Sequence, residues 1–222
     1  MKAKKLSTKD KIVLKAVELF NESGTQNITT NHIAKEAEIS AGNLYYHFRN
    51  KEEIVRAVYE KMSAEFDIVW GSRVEGNELF NVTEKITESL RLFYKYKFFM
   101  TEIVSLIKND IELKRRYIEA KNKRKRELAE LFLEFKRGGY LKQDITEQEI
   151  DSLIEVLWFT GDFWIMKNEF KESPNSEATN EEIESYLKAT YIICRSFFKE
   201  EVLKEFKFEK ILKETKVVSN RL

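Results

Sequence analysis

Cysteine occurs once in this chain of 222 residues, proline once and glycine seven times, and there are two histidines. A single cysteine, Cys194, cannot close an internal disulfide. That excludes a disulfide-stapled scaffold and agrees with a reducing, cytoplasmic setting. Cys194 sits among Ile192, Ile193 and Phe197, where a small buried hydrophobe is expected rather than a reactive thiol. The two histidines, His32 and His47, are not spaced to hold a metal, and no thiol–base pair or glycine-rich phosphate loop accompanies them. No catalytic set, metal site or cofactor is therefore expected. Long apolar runs are also missing: none approaches the roughly 20 residues that a bilayer span needs. Charged residues make up 35% of the chain and mean hydropathy is −0.49, so no membrane association is expected. The basic start, MKAKK, leads into an amphipathic segment without an apolar signal core, so no secretory signal is expected.

What is present is helical. Apolar residues recur at spacings of three and four almost throughout, and few segments alternate with period two. The first helix is expected at about residues 8–23, with Ser7 and Asp10 at its cap, Ile12, Ala16, Leu19 and Phe20 buried, and Gly24 as its stop. Short helices follow at 30–37 and, after Ser40, at 41–48, then a helix capped by Asn50 with Glu53. Further helices are expected at 78–96, 101–108, 111–136, 147–170 and 180–206. Thr146 with Glu149 and Thr179 with Glu182 form capping boxes for the last two. Loops are expected at 71–77 and, around Pro174, at 171–180, with fraying over 211–222. The fold class is all-α: a three-helix head at 1–52 and a helical body at 53–222.

Charge is uneven although the net value is only +1. Residues 1–51 sum to +4 and the remainder to −3, the footprint of a head that meets nucleic acid. Within it, residues 29–48 read TTNHIAKEAEISAGNLYYHF: two short helices about a turn at Glu38 and Ile39, preceded by a helix long enough to cover their apolar sides. A helix-turn-helix is built this way, its second helix entering the major groove. Thr29, Thr30 and Ser40 place hydroxyls and free N–H groups at helix N-termini, where a phosphate binds. Ala41, Gly42 and Asn43 form a first turn small enough for close approach to base edges, with Asn43 and Tyr46 able to read them. Tyr45, His47 and Lys51 are placed for phosphate contact.

This segment resembles the tetracycline-repressor (TetR/AcrR) family over about residues 8–60. The matching residues are Thr30, Ile33-Ala34, Ala37, Ser40-Ala41-Gly42, Leu44-Tyr45-Tyr46-His47-Phe48 and Lys51. The resemblance implies phosphate contacts from Thr30, Tyr45, His47 and Lys51, and base contacts from Asn31, Ala41, Gly42, Asn43 and Tyr46. It implies a homodimer acting as a ligand-released repressor on a near-palindromic double-stranded DNA operator. One residue departs from the pattern. The family usually has glycine in the turn where this chain has Glu38, and a non-glycine residue held left-handed costs on the order of 1 kcal/mol. Glu38 is also the support for an alternative: a helical small-molecule-binding protein or enzyme whose head no longer reads DNA.

The body carries two aromatic-dense stretches, residues 93–100 and 158–166. Tight helical packing explains part of such density; an apolar pocket and a subunit interface explain the rest. Phe93, Tyr96, Phe99, Met100, Phe159, Asp162, Phe163 and Met166 are expected to line a pocket for a small apolar or aromatic ligand. The resemblance implies that the last two long helices pair with those of a second copy through Trp158, Gly161, Ile165, Ile192 and Phe197. The basic run at 121–126 lies mid-helix among Glu119, Glu127 and Glu130, and a solvated face is expected there.

Overall fold

The computed structural model describes residues 6–71, 78–171 and 177–205. These form α1 (Thr8–Asn27), α2 (Thr30–Glu36), α3 (Ala41–His47), α4 (Lys51–Gly71), α5 (Glu78–Lys95), α6 (Lys97–Asn109), α7 (Ile111–Arg137), α8 (Glu147–Met166), a 3-10 turn (Lys167–Phe170), α9 (Asn180–Cys194) and α10 (Glu200–Glu205). Among the described residues the extended pairing is a single antiparallel bridge, Leu141 with Phe198. Residues 72–77 of the loop expected at 71–77, residues 172–176 of the loop expected at 171–180, and the segment 211–222 lie outside the described residues.

The chain divides into two compact units. The first comprises residues 1–68 and 95–117, the second 69–94 and 118–222. The expected head, 1–52, falls within the first unit, which also takes in the rest of α4 to Ile68, α6 and the start of α7. Its core is built by Ile12, Ala16, Phe20, Ile33, Leu44 and Ile54, all buried, as the 3/4 spacing of α1 requires. Phe98 from α6 meets Phe20 at 5.1 Å between ring centroids, and Phe99 stacks on Tyr59 at 5.0 Å. Arg56 on α4 pairs at 2.7 Å with buried Asp110, whose other oxygen accepts from the N–H groups of Glu112 and Leu113 and so caps α7.

The second unit is organised around Phe132, Phe135, Leu141, Ile150, Leu153, Ile154 and Phe198. Tyr94, Trp164 and Tyr186 add a row of edge-to-face rings at 5.5 and 5.4 Å. Cys194 packs against the main cluster, and burial pushes its thiol up to about 12, which makes it a hydrophobe rather than a nucleophile. The capping boxes at Thr146–Glu149 and Thr179–Glu182 form on both sides. In the basic run, Lys123 and Arg124 pair with Glu127, and Lys125 pairs with Glu155.

The first helix, expected to stop at Gly24, kinks there and continues to Asn27, and three further boundaries differ from the expectation. α6 starts at Lys97 rather than at residue 101, because the Thr101 hydroxyl donates back to the carbonyls of Lys97 and Phe98 and sits inside the helix instead of capping it. The helix expected from 147 to 170 tightens into a 3-10 turn after Met166. The helix expected from 180 to 206 breaks after Cys194. Residues 140–142 capture the break: Lys142 N–H donates to the Phe197 carbonyl and Lys199 N–H to that of Tyr140, both at 3.0 Å, while Phe198 enters the core. That partner lies more than fifty residues upstream, beyond the reach of local periodicity.

Candidate nucleic-acid interface

The two short helices are set by their caps. The Thr29 hydroxyl accepts from His32 N–H at 3.3 Å, while Thr29 N–H donates to His32 Nδ1 at 3.4 Å, a reciprocal box at the start of α2. The Ser40 hydroxyl accepts from Asn43 N–H at 3.1 Å at the start of α3. Between them the chain reverses through Ile39 N–H to the Ala34 carbonyl at 3.0 Å, with Glu38 at φ 53°. Glu38 thus adopts the left-handed conformation that glycine would adopt freely. Its carboxylate pairs with Lys11 on α1 at 3.2 Å, a contact at the protein surface.

These caps sort the side chains of α3 cleanly. Leu44 and Phe48 are buried, with Lys9 Nζ 5.6 Å above the Phe48 ring. Ala41, Gly42, Asn43 and Tyr46 are exposed, Tyr46 to 84%. A Cβ on Gly42 would meet nothing nearer than Ser40 Oγ at 4.0 Å, so packing within the chain does not demand glycine there. Asn31 is exposed on α2. The Thr30 hydroxyl and the Tyr45 hydroxyl lie 3.0 Å apart, which joins the N-terminus of α2 to α3. The half-buried His47 ring meets the Tyr46 ring edge-on at 5.1 Å. Lys51 Nζ donates to the carbonyls of Thr25 and Ile28, at 2.5 and 3.0 Å, so its ammonium braces the corner between α1 and α2. Lys51 was expected only to contact a phosphate, and no role was expected for Thr25.

Comparison with known proteins supplies the family. A model described as bacterial regulatory proteins of the tetR family matches residues 12–58. A second, described as a bacterial transcriptional repressor, matches residues 48–206, more than half of the chain. The chain belongs to the TetR family. It is similar to the biofilm operon icaADBC negative transcriptional regulator IcaR of Staphylococcus epidermidis, with 46% identity over 52 residues, 23% of this chain and 28% of IcaR. It is similar to the transcriptional regulator QacR of Staphylococcus aureus, with 38% identity over 65 residues, 29% of this chain and 35% of QacR. The chain therefore matches about a third of the length of these relatives. Among solved structures, a TetR-family regulator from Marinobacter aquaeolei VT8 superposes with a TM-score of 0.81 at 24% identity, over 94% of this chain and 98% of that one. The fatty acid degradation regulator FadR of Bacillus halodurans superposes with a TM-score of 0.64 at 20% identity, over 86% and 96%. Both show the TetR-family fold.

The residues expected to serve ligand and partner in this TetR-family body are distributed differently from the sequence reading. Tyr96, Phe99 and Met100 are buried in the core of the first unit. Phe93 and Met166 are half-buried in the second. On α8, burial within the chain does not follow the expected division into pocket and subunit face. Phe159 and Phe163, expected inside a pocket, are 64% and 54% exposed and lie ring to ring at 4.7 Å. Ile165 and Gly161, expected at a subunit face, are buried in their own chain, and a Cβ on Gly161 would sit 3.4 Å from the Tyr186 hydroxyl. Trp158 is half-buried beneath Lys121 and Lys125, whose Nζ atoms stand 5.5 and 5.9 Å from its ring centroid. Phe197 packs on the core, while Ile192 remains exposed. Burial raises the Asp162 carboxyl above its ordinary value, against the pull of Lys121 and Lys125.

Proposed function

We propose that this chain is a repressor that binds a near-palindromic operator as a homodimer and is released by a small apolar or aromatic ligand held in its second unit. The observation that carries the DNA-reading part is the α3 edge: Asn43 and Tyr46 stand exposed beside the small residues Ala41 and Gly42, while Leu44 and Phe48 are turned inward. Asn43 and Tyr46 read bases; Thr29, Thr30, Ser40, Tyr45, His47 and Lys51 hold phosphates and fix the register. Repression is supported by the description of IcaR as a negative regulator. The homodimer reading draws on the outward stripe Val156, Phe159 and Phe163 of α8, with exposed Ile192 on α9. The ligand reading draws on Trp164, which is buried between Tyr94 and Tyr186 with its indole N–H unpaired among the described residues. A ligand acceptor would satisfy that donor. Release follows from a ligand that favours the non-binding state of the dimer.

The alternative, a head that has ceased to read DNA, rested on Glu38. That residue takes the backbone conformation the turn requires, and its charge is held by Lys11. The test is gel retardation of duplex fragments from upstream of the gene at low salt, with wild type and the Tyr46→Ala, His47→Ala double variant. The proposal expects a discrete shifted band for wild type and its loss in the variant. Equal retention by both, or none by wild type, refutes it.

A further inference from the structure

Residues of α6 grip the head at the corner that leads into α2. The Glu102 carboxylate accepts from Thr25 N–H at 3.0 Å and also from the Thr25 hydroxyl. Thr25 is almost fully buried. Just before it, Gly24 turns the chain at φ 74° and ψ 156°, and a Cβ there would stand 3.0 Å from Glu102 Oε1. The carboxylate is therefore seated against backbone that only glycine leaves open. On the other side of the corner, Lys51 Nζ holds the Thr25 and Ile28 carbonyls. Asn21 adds a second tie one helical turn earlier: its side chain donates to the Lys95 carbonyl at 2.9 Å and accepts from Phe98 N–H at 3.1 Å. The next residues after this corner are Thr29 and Thr30, which open α2 and face the phosphates in the reading above.

We infer that Glu102 is a positioning residue for DNA recognition: acting through Thr25 and against Lys51, it fixes the corner that aims the N-terminus of α2. The inference rests on the reading that this head binds DNA. Glu102 touches no DNA itself. Its loss leaves a buried N–H and hydroxyl without their acceptor, and the corner relaxes. The effect falls on specific binding, which needs the register, more than on non-specific binding, which needs only charge.

The experiment uses the full-length chain, the duplex that wild type enriches from random-sequence DNA, and a scrambled duplex of equal length. All are measured well below each variant's melting temperature. Glu102→Ala is expected to weaken the enriched duplex by about tenfold, the loss of one buried charge-assisted bond, and the scrambled duplex by less than about threefold. Glu102→Gln keeps an oxygen for Thr25 N–H and is expected to restore most of the difference. An amide-exchange measurement reports on the latch itself: the Thr25 amide is expected to be protected in wild type and to exchange at least about tenfold faster in Glu102→Ala. An unchanged ratio of enriched to scrambled affinity in Glu102→Ala, or a Thr25 amide unprotected in wild type, overturns the inference. If wild type enriches no duplex, the DNA-binding reading falls and takes this inference with it; failure of Glu102→Ala to differ from a binding wild type defeats the inference alone.

Discussion

Glu38 shows how one residue carries opposing terms. Its left-handed backbone costs on the order of 1 kcal/mol, while its exposed pair with Lys11 returns a fraction of that. Glu38→Gly is therefore expected to leave stability unchanged or raise it by up to about 1 kcal/mol, read by thermal melting. A loss of more than about 1 kcal/mol would mean the ion pair outweighs the strain. Glu182 poses a pH question. Burial disfavours its charge, but the Lys171 ammonium, the Thr179 N–H and hydroxyl, and the Tyr94 hydroxyl outweigh burial and hold its carboxyl at about 2. A carboxyl depressed in the fold stabilises it fully above the unfolded value. That contribution fades as pH falls from the ordinary 4.5 towards about 2. Stability is thus expected to drop across that window in wild type and less steeply in Glu182→Gln. Parallel acid-unfolding curves for the two proteins would count against this account.

Helices α3 and α8 mark the two ends of what could be read in advance. α3 was readable because its information is local: Ser40 caps it, Leu44 and Phe48 sit at i and i+4, and the polar residues occupy the remaining face. α8 was not, because it carries two apolar stripes. Val156, Phe159 and Phe163 form one, and Ile154, Trp158, Gly161 and Ile165 the other, each at helical spacing. Periodicity finds both but cannot say which faces its own chain; α9 decides, through Tyr186 against Gly161 and Trp164. The Glu102–Thr25 latch and the break at 195–199 escaped for the same reason, since their partners are distant in sequence. The two stripes of α8 separate by experiment. Phe159→Asp with Phe163→Asp is expected to abolish self-association in sedimentation equilibrium with little effect on the protomer's secondary structure. Ile165→Ala, fully buried, is expected to cost about 2–5 kcal/mol of stability. A double variant that still sediments as wild type would remove α8 from the interface.

At the scale of the whole molecule, the basic head and the TetR-family fold support the proposed reading of the chain as a regulator that binds DNA. The apolar outward stripe of α8 accords with the proposed dimer, which would carry two heads. Base-edge contacts and symmetry together constrain what such a molecule selects. Each good side-chain-to-base contact discriminates by about 1–3 kcal/mol, so Asn43→Ala and Tyr46→Ala are each expected to weaken the specific site by about tenfold while barely changing the salt dependence. A proportionate loss on scrambled DNA would assign those side chains to phosphate instead. The most direct measurement is enrichment of duplexes from a random-sequence pool by the full-length chain, followed by sequencing. The account predicts a near-palindromic consensus whose half-sites lie about one helical turn apart or a little more. Its enrichment should be lost in the Asn43→Ala, Tyr46→Ala double variant. A pool that stays random, or one that converges on a single asymmetric site unaffected by those substitutions, would contradict it.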